Sequence, residues 1–119
     1  MFCDEFIDEV ESYGIWSDGG NEDGRVEGGY QAVPTIDIHM NQIGLDKEWL
    51  YLLDYYVRPL QKLVFMGYGE SPPYGTTNFI VRYRPDEQPS LQPHHDVSTY
   101  SINMALNERG VDFQVEHFR

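Results

Sequence analysis

The chain has 119 residues and a formal net charge of -12 at neutral pH, from 8 Lys and Arg against 20 Asp and Glu. That length supports one domain at most, and a 40% hydrophobic content is too high for a disordered chain. The acidity argues against a nucleic-acid partner, because that binding depends on Lys and Arg neutralising phosphates.

A surface of this charge either steers a basic partner or simply keeps a small domain soluble. No apolar run approaches the roughly 20 residues of a membrane helix. The N-terminal stretch MFCDEFIDEVESYG is acidic and amphipathic, which is not the pattern of a signal peptide. Cys3 is the only cysteine, so neither an internal disulfide nor a thiolate zinc site can form within the chain.

Residues 3–14 read as a helix, with Phe2, Phe6, Val10 and Tyr13 three and four apart and Gly14 to end it. The Gly- and Asp-rich residues 17–29 read as a loop. Residues 33–43 alternate, with Ile36, Ile38 and Met40 on one face and Asp37, His39 and Asn41 on the other. That pattern predicts a strand with one side buried. Asp46 can cap a helix starting at Lys47. Trp49, Leu53, Tyr56, Leu60, Leu63 and Val64 form its apolar stripe, and Pro59 predicts a kink or two shorter pieces. Residues 67–75 are turn material.

The alternation of Thr77, Phe79, Val81 and Tyr83 predicts a strand over 76–84, and three prolines make 85–93 a loop. Residues 97–106 read as a second strong strand. Residues 107–110 read as a turn, and 111–119 as the start of a third strand. The order of elements predicts an α+β fold, with helices supporting an antiparallel sheet or a jelly roll.

The stretch LQPHHDVSTYSINMALN carries the chemistry. Side chains two apart on an extended segment point the same way, so His94 and Asp96 can converge while His95 points elsewhere. One imidazole and one carboxylate belong to the donor set of the 2-His-1-carboxylate iron site. The same spacing also suits a solvated surface pair. Tyr83 and Asn103 are polar groups on otherwise core-like runs. Each fits either a bound oxo-acid or a partner within the sheet. Strict alternation sets Asn103 opposite Asp96, so a turn or bulge near Val97 is required to bring them together.

The strings GRVEGGYQAVPTIDIHMNQIGL, NFIVRYRPDEQPSLQPHHDVSTYSINMALN and GVDFQ are long and specific. Over residues 3–114 the chain resembles the C-terminal catalytic domain of procollagen lysyl hydroxylases, the procollagen-lysine 2-oxoglutarate 5-dioxygenases. The resemblance implies a double-stranded β-helix, or jelly roll, with supporting N-terminal helices. It also implies an Fe(II) enzyme that oxidises 2-oxoglutarate to succinate and CO2 while hydroxylating carbon 5 of a collagen lysine. Ascorbate keeps the iron reduced in such enzymes. By the same resemblance His94 and Asp96 are iron ligands, and Tyr83 and Asn103 contact 2-oxoglutarate. Arg25 stands where the family has a basic residue near the cosubstrate, although a solvated arginine fits its loop as well. His95 and His39 are expected in structural roles. The implied substrate is a collagen-like polypeptide, the implied compartment is the lumen of the endoplasmic reticulum, and a homodimer of the full-length protein is allowed.

The family pattern continues into a GGG segment, a second histidine ligand and an arginine for the far carboxylate of 2-oxoglutarate. Here the sequence departs at VEHFR. His117 does not match the distal ligand, and neither Arg109 nor Arg119 matches the cosubstrate arginine. Residues 1–119 are therefore expected to be the N-terminal part of the dioxygenase domain, with little activity alone. Two further readings remain open: an acidic, non-catalytic module for basic collagen-like segments, and a different dioxygenase that uses His117.

Overall fold

A computed structural model describes residues 2–19, 33–67, 77–96 and 98–114. They fall into two units: Ile15–Leu91, and Met1–Gly14 with Gln92–Arg119.

The larger unit is organised by the run from Thr35 to Ile43. The strand expected over 33–43 is much shorter: β1 is Asp37–His39, and Met40–Ile43 winds into a 3-10 turn. Gly44 ends that turn at φ 71°, in the left-handed region where glycine carries no Cβ penalty. The antiparallel partner β2 is Phe79–Val81, with Ile38 opposite Ile80 and His39 opposite Phe79. It is shorter than the strand expected over 76–84. Two backbone bonds extend the pairing past its ends: Met40 N–H donates to Asn78 O and Arg82 N–H to Ile36 O, each at 2.9 Å.

A lone two-stranded ribbon is marginal in water, and β1 has support on its other side. Ser17 N–H donates to Asp37 O at 2.9 Å, and Asp37 N–H donates to Ser17 Oγ at 3.0 Å. The Ser17 hydroxyl in turn donates to Thr35 O at 2.9 Å. β1 thus has hydrogen-bonded neighbours on both edges, and burial of Thr35 and Asp37 on its second face corrects the expectation of one buried face. Ile36, Ile38 and Met40 are buried, and so are Thr35 and Asp37. The Asp37 carboxylate is accommodated because the Thr35 hydroxyl donates to it at 2.5 Å. Ile38 has no solvent exposure, and burying a side chain of this size contributes about 2 kcal/mol. With Met40 and Ile43 it forms the centre of this unit.

Helix α2 is Asp46–Leu52. Its N-cap is Leu45 rather than Asp46, with no side-chain cap bond. Asp46 instead occupies the first turn, where its charge favours the helix dipole. A π turn at Leu53–Val57 joins α2 to α3, Arg58–Val64, with Pro59 at the start of α3. The two-piece helix expected around Pro59 is present. The missing proline N–H falls where a helix start tolerates it, and Arg58 N–H reaches back five residues to Leu53 O. Of the expected apolar stripe, Trp49 and Leu53 are half-buried, while Tyr56, Leu60, Leu63 and Val64 are exposed.

In the smaller unit, α1 is Phe2–Tyr13, as the spacing predicts. Val10 is buried, and the Phe2 and Phe6 rings stack at 6.0 Å. Gly14 terminates it at φ 63° and returns its N–H to Glu11 O. The strand expected over 97–106 is not formed. Residues 98–106 are irregular, with a bend at 98–100 and a 2.7 Å hydroxyl pair between Ser98 and Ser101. An alternating run becomes a strand only where another chain takes its ladder bonds. Ile102 and Met104 are accordingly exposed. Of the third strand expected over 111–119, residues 111–114 are described; they begin within a turn and include Phe113, which bridges to Arg109, while 115–119 lie outside the described residues. The expected loop over 17–29 is described only at 17–19, and residues 68–76 of the expected turn region are also outside.

Candidate metal and cosubstrate site

His94 and Asp96 do converge. His94 Nε2 lies 3.2 Å from Asp96 Oδ1, with the two side chains 31% and 48% exposed. The opposite ring nitrogen, Nδ1, is 2.8 Å from the carbonyl of Gln92. A carbonyl can only accept, so Nδ1 carries the proton. Nε2 then either bears a second proton and ion-pairs with Asp96, or presents a lone pair toward a carboxylate oxygen. The second state is favourable when a cation lies between them.

The spacing suits that cation. A first-row divalent ion holds imidazole nitrogen and carboxylate oxygen at about 2.1 Å, which sets neighbouring ligand atoms at right angles about 3.0 Å apart. The Gln92 carbonyl also supplies the outer hydrogen bond that fixes the tautomer and ring orientation of a metal-binding histidine. The two residues therefore fit as one nitrogen and one oxygen ligand. Among the described residues no group of three or more His, Cys, Asp and Glu side chains could hold a metal.

Tyr83 lies in the larger unit, two residues past β2. Its residue is 45% exposed, and burial of part of the ring raises the phenol's pKa above the ordinary value of 10.0. It is therefore a neutral hydroxyl at physiological pH, able to donate to an oxo-acid. Asn103 is exposed in the smaller unit. The chain bends at 98–100, between Asp96 and Asn103; Val97, where a turn is expected, is outside the described residues. Arg25 and His117 also lie outside them. His95 is exposed. His39 has the structural partners expected of it, with its ring 5.7 Å from Phe79 and Nε2 4.0 Å from Asp37.

The sequence reading missed the Gln92 carbonyl, because a backbone acceptor leaves no mark in residue identity. It also passed over Arg82 and Glu87. Their separation of five in a Pro-containing loop was the available signal.

No family model matches the chain. Individual relatives are close. It is 56% identical over 113 residues to a multifunctional procollagen lysine hydroxylase and glycosyltransferase of Caenorhabditis elegans. It is 58% identical over 113 residues to the procollagen-lysine,2-oxoglutarate 5-dioxygenase of Drosophila melanogaster. Both matches cover 95% of this chain and 16% of the relative. To procollagen-lysine,2-oxoglutarate 5-dioxygenase 1 of Gallus gallus it is 53% identical over 112 residues, 94% of this chain and 15% of that protein. The chain is thus a homologue of the procollagen lysine hydroxylases over nearly all of its own length, and it spans about one-sixth of theirs.

Proposed function

We propose that this chain is the part of an Fe(II)- and 2-oxoglutarate-dependent lysyl hydroxylase that supplies the first two metal ligands. The His94–Asp96 pair carries the reading: the imidazole is held by Gln92 O with its free nitrogen beside a carboxylate. Identity above 50% to proteins named as procollagen-lysine 2-oxoglutarate dioxygenases gives the reaction class. One imidazole and one carboxylate suit a divalent first-row metal, and Fe(II) is the one that the resemblance implies. Bound iron would supply the oxidising chemistry that removes hydrogen from an unactivated lysine carbon.

The residues of this chain bind, orient and hold protons. His94 presents Nε2 and keeps its proton on Nδ1. Asp96 supplies the anionic oxygen that lowers the charge of the site. Tyr83, as a neutral phenol, donates to a carboxylate of 2-oxoglutarate, and Asn103 is its second polar contact. Arg25 adds a cation toward the same anion. Ascorbate serves as reductant, and collagen-like polypeptide is the substrate. The jelly roll is the complete domain's fold, the lumen of the endoplasmic reticulum its compartment, and a homodimer its full-length assembly. A third ligand and an arginine for the cosubstrate come from residues other than those assigned here, so the 119 residues alone turn over little.

The test has two parts. Mn(II), a redox-stable substitute for Fe(II), is titrated into the chain and into His94→Ala; equal affinity for both would remove His94 from the metal site. A protein joining this segment to the missing histidine and arginine is then assayed for lysine-dependent succinate formation on a collagen peptide. A folded, iron-loaded protein of that kind with no turnover sinks the reading.

A further inference from the structure

Tyr83 stands between two residues that are both fixed. On its N-terminal side, Arg82 N–H donates to Ile36 O at 2.9 Å. The Arg82 guanidinium forks onto Glu87, with Nη2 at 3.0 Å from both carboxylate oxygens and Nε at 3.2 Å from one. The same guanidinium lies 4.5 Å over the Trp16 ring. The two paired side chains are only 17% and 30% exposed. On its C-terminal side, Arg84 N–H donates to Gln88 O at 3.2 Å, and Glu87 N–H returns to Arg84 O at 3.1 Å. The Gln88 side-chain amide donates to Pro34 O. Residues 84–88 therefore close on themselves and are tied to the segment leading into β1.

We propose that Arg82 and Glu87 are positioning residues for Tyr83, holding the backbone on both sides of the phenol so that it faces the cosubstrate at a fixed place. This rests on the reading of Tyr83 as a 2-oxoglutarate contact. The physical case is the fork. A bidentate guanidinium–carboxylate pair fixes direction as well as distance, which a point charge does not. Trp16 covers one face of the guanidinium, so the pair is less open to water and salt than one between fully exposed side chains. The clamp spans residues 82–87, so it brackets Tyr83 without consuming the hydroxyl.

The test uses the chain with isotope-labelled tyrosine rings, the Tyr83 signal among the nine being assigned by Tyr83→Phe. Arg82→Lys keeps the charge and loses the fork. Glu87→Gln keeps the shape and loses the charge, and it carries the test alone should Arg82→Lys fail to fold. The exchanged pair Arg82→Glu with Glu87→Arg rebuilds the contact. The Tyr83 ring signal shifts in each single variant and moves back in the exchanged pair. Its response to added 2-oxoglutarate weakens about tenfold in the single variants. An unmoved Tyr83 signal in folded single variants, even with a lowered melting temperature, overturns the proposal. The 2-oxoglutarate titrations use the Zn(II)-loaded protein that joins this segment to the missing histidine and arginine; a wild-type Tyr83 signal that ignores 2-oxoglutarate there overturns the cosubstrate role of Tyr83, and the ring shifts in the variants still decide the clamp.

Discussion

Trp49 donates its indole N–H to the side-chain oxygen of Asn78 at 3.0 Å, across 29 positions of sequence. Asn78 also accepts Met40 N–H through its backbone carbonyl. One residue thereby joins α2, the 3-10 turn and the entry to β2. Replacing Asn78 with Ala removes the side-chain acceptor and leaves a part-buried indole N–H without it. The expected cost is about 1–2 kcal/mol, read as a lower urea midpoint with an unchanged slope. Trp49→Phe in the Asn78→Ala background should then add only the loss of ring contacts. Additive losses from the two single changes would show that the bond contributes nothing.

The pair His94–Asp96 makes metal affinity depend on pH with a definite sign. A proton and a cation compete for His94 Nε2, so Mn(II) binding tightens as pH rises. Asp96→Asn should weaken binding by at least about tenfold and leave that pH dependence in place, since the imidazole remains. Calorimetry at several pH values checks both. Affinity independent of pH would mean that His94 is not a ligand.

Tyr83 gives a second pH dependence. Burial raises its pKa in the fold above 10.0, so the folded state favours the neutral phenol. Its contribution is fully present below about pH 10, the unfolded value, and is lost as pH rises through the higher folded value. Tyr83→Phe should abolish that part of the alkaline loss. The phenolate absorbance difference between the two proteins should show a midpoint above that of free tyrosine. A midpoint at or below the free value contradicts the burial of the ring.

Asp37 is a buried carboxylate whose oxygen accepts from Thr35 and whose backbone pairs with Ser17. Asp37→Ala leaves the Thr35 hydroxyl without that acceptor and opens a small void, at an expected cost of about 1–3 kcal/mol. Asp37→Asn retains an acceptor and should cost less. Ser17→Ala should loosen residues near 17 selectively, seen as faster amide exchange at Ser17 and Asp37. Equal stability of the Ala and Asn variants would show that the hydroxyl–carboxylate contact is dispensable.

How far the sequence could be read depends on whether each pattern has a local cause. α1 was legible because its stripe and Gly14 both act within one helix. The convergence of His94 and Asp96 was legible because it needs only two intervening bonds of backbone direction. The burial of Asp37 was not, because it depends on Ser17 arriving from 20 positions away. The alternation over 97–106 was read as a strand, yet alternation states only which face would be buried if a partner came. It cannot supply the partner. The capping role given to Asp46 failed by one residue, the usual scale of uncertainty at a helix end.

The π turn at Leu53–Val57 has a consequence for reading this helix on paper. One extra residue in the winding rotates everything after it by about 100°. A single helical wheel drawn from Trp49 to Val64 therefore superimposes two phases that do not coincide in space. Trp49 and Leu53 belong to the first, which meets the body of the unit, and Leu60, Leu63 and Val64 to the second, which faces away. Rewinding residues 53–57 as regular α-helix, with no residue removed, would bring both sets into one register, at the cost of setting Pro59 inside a continuous α-helix, where its ring opposes the carbonyl one turn back.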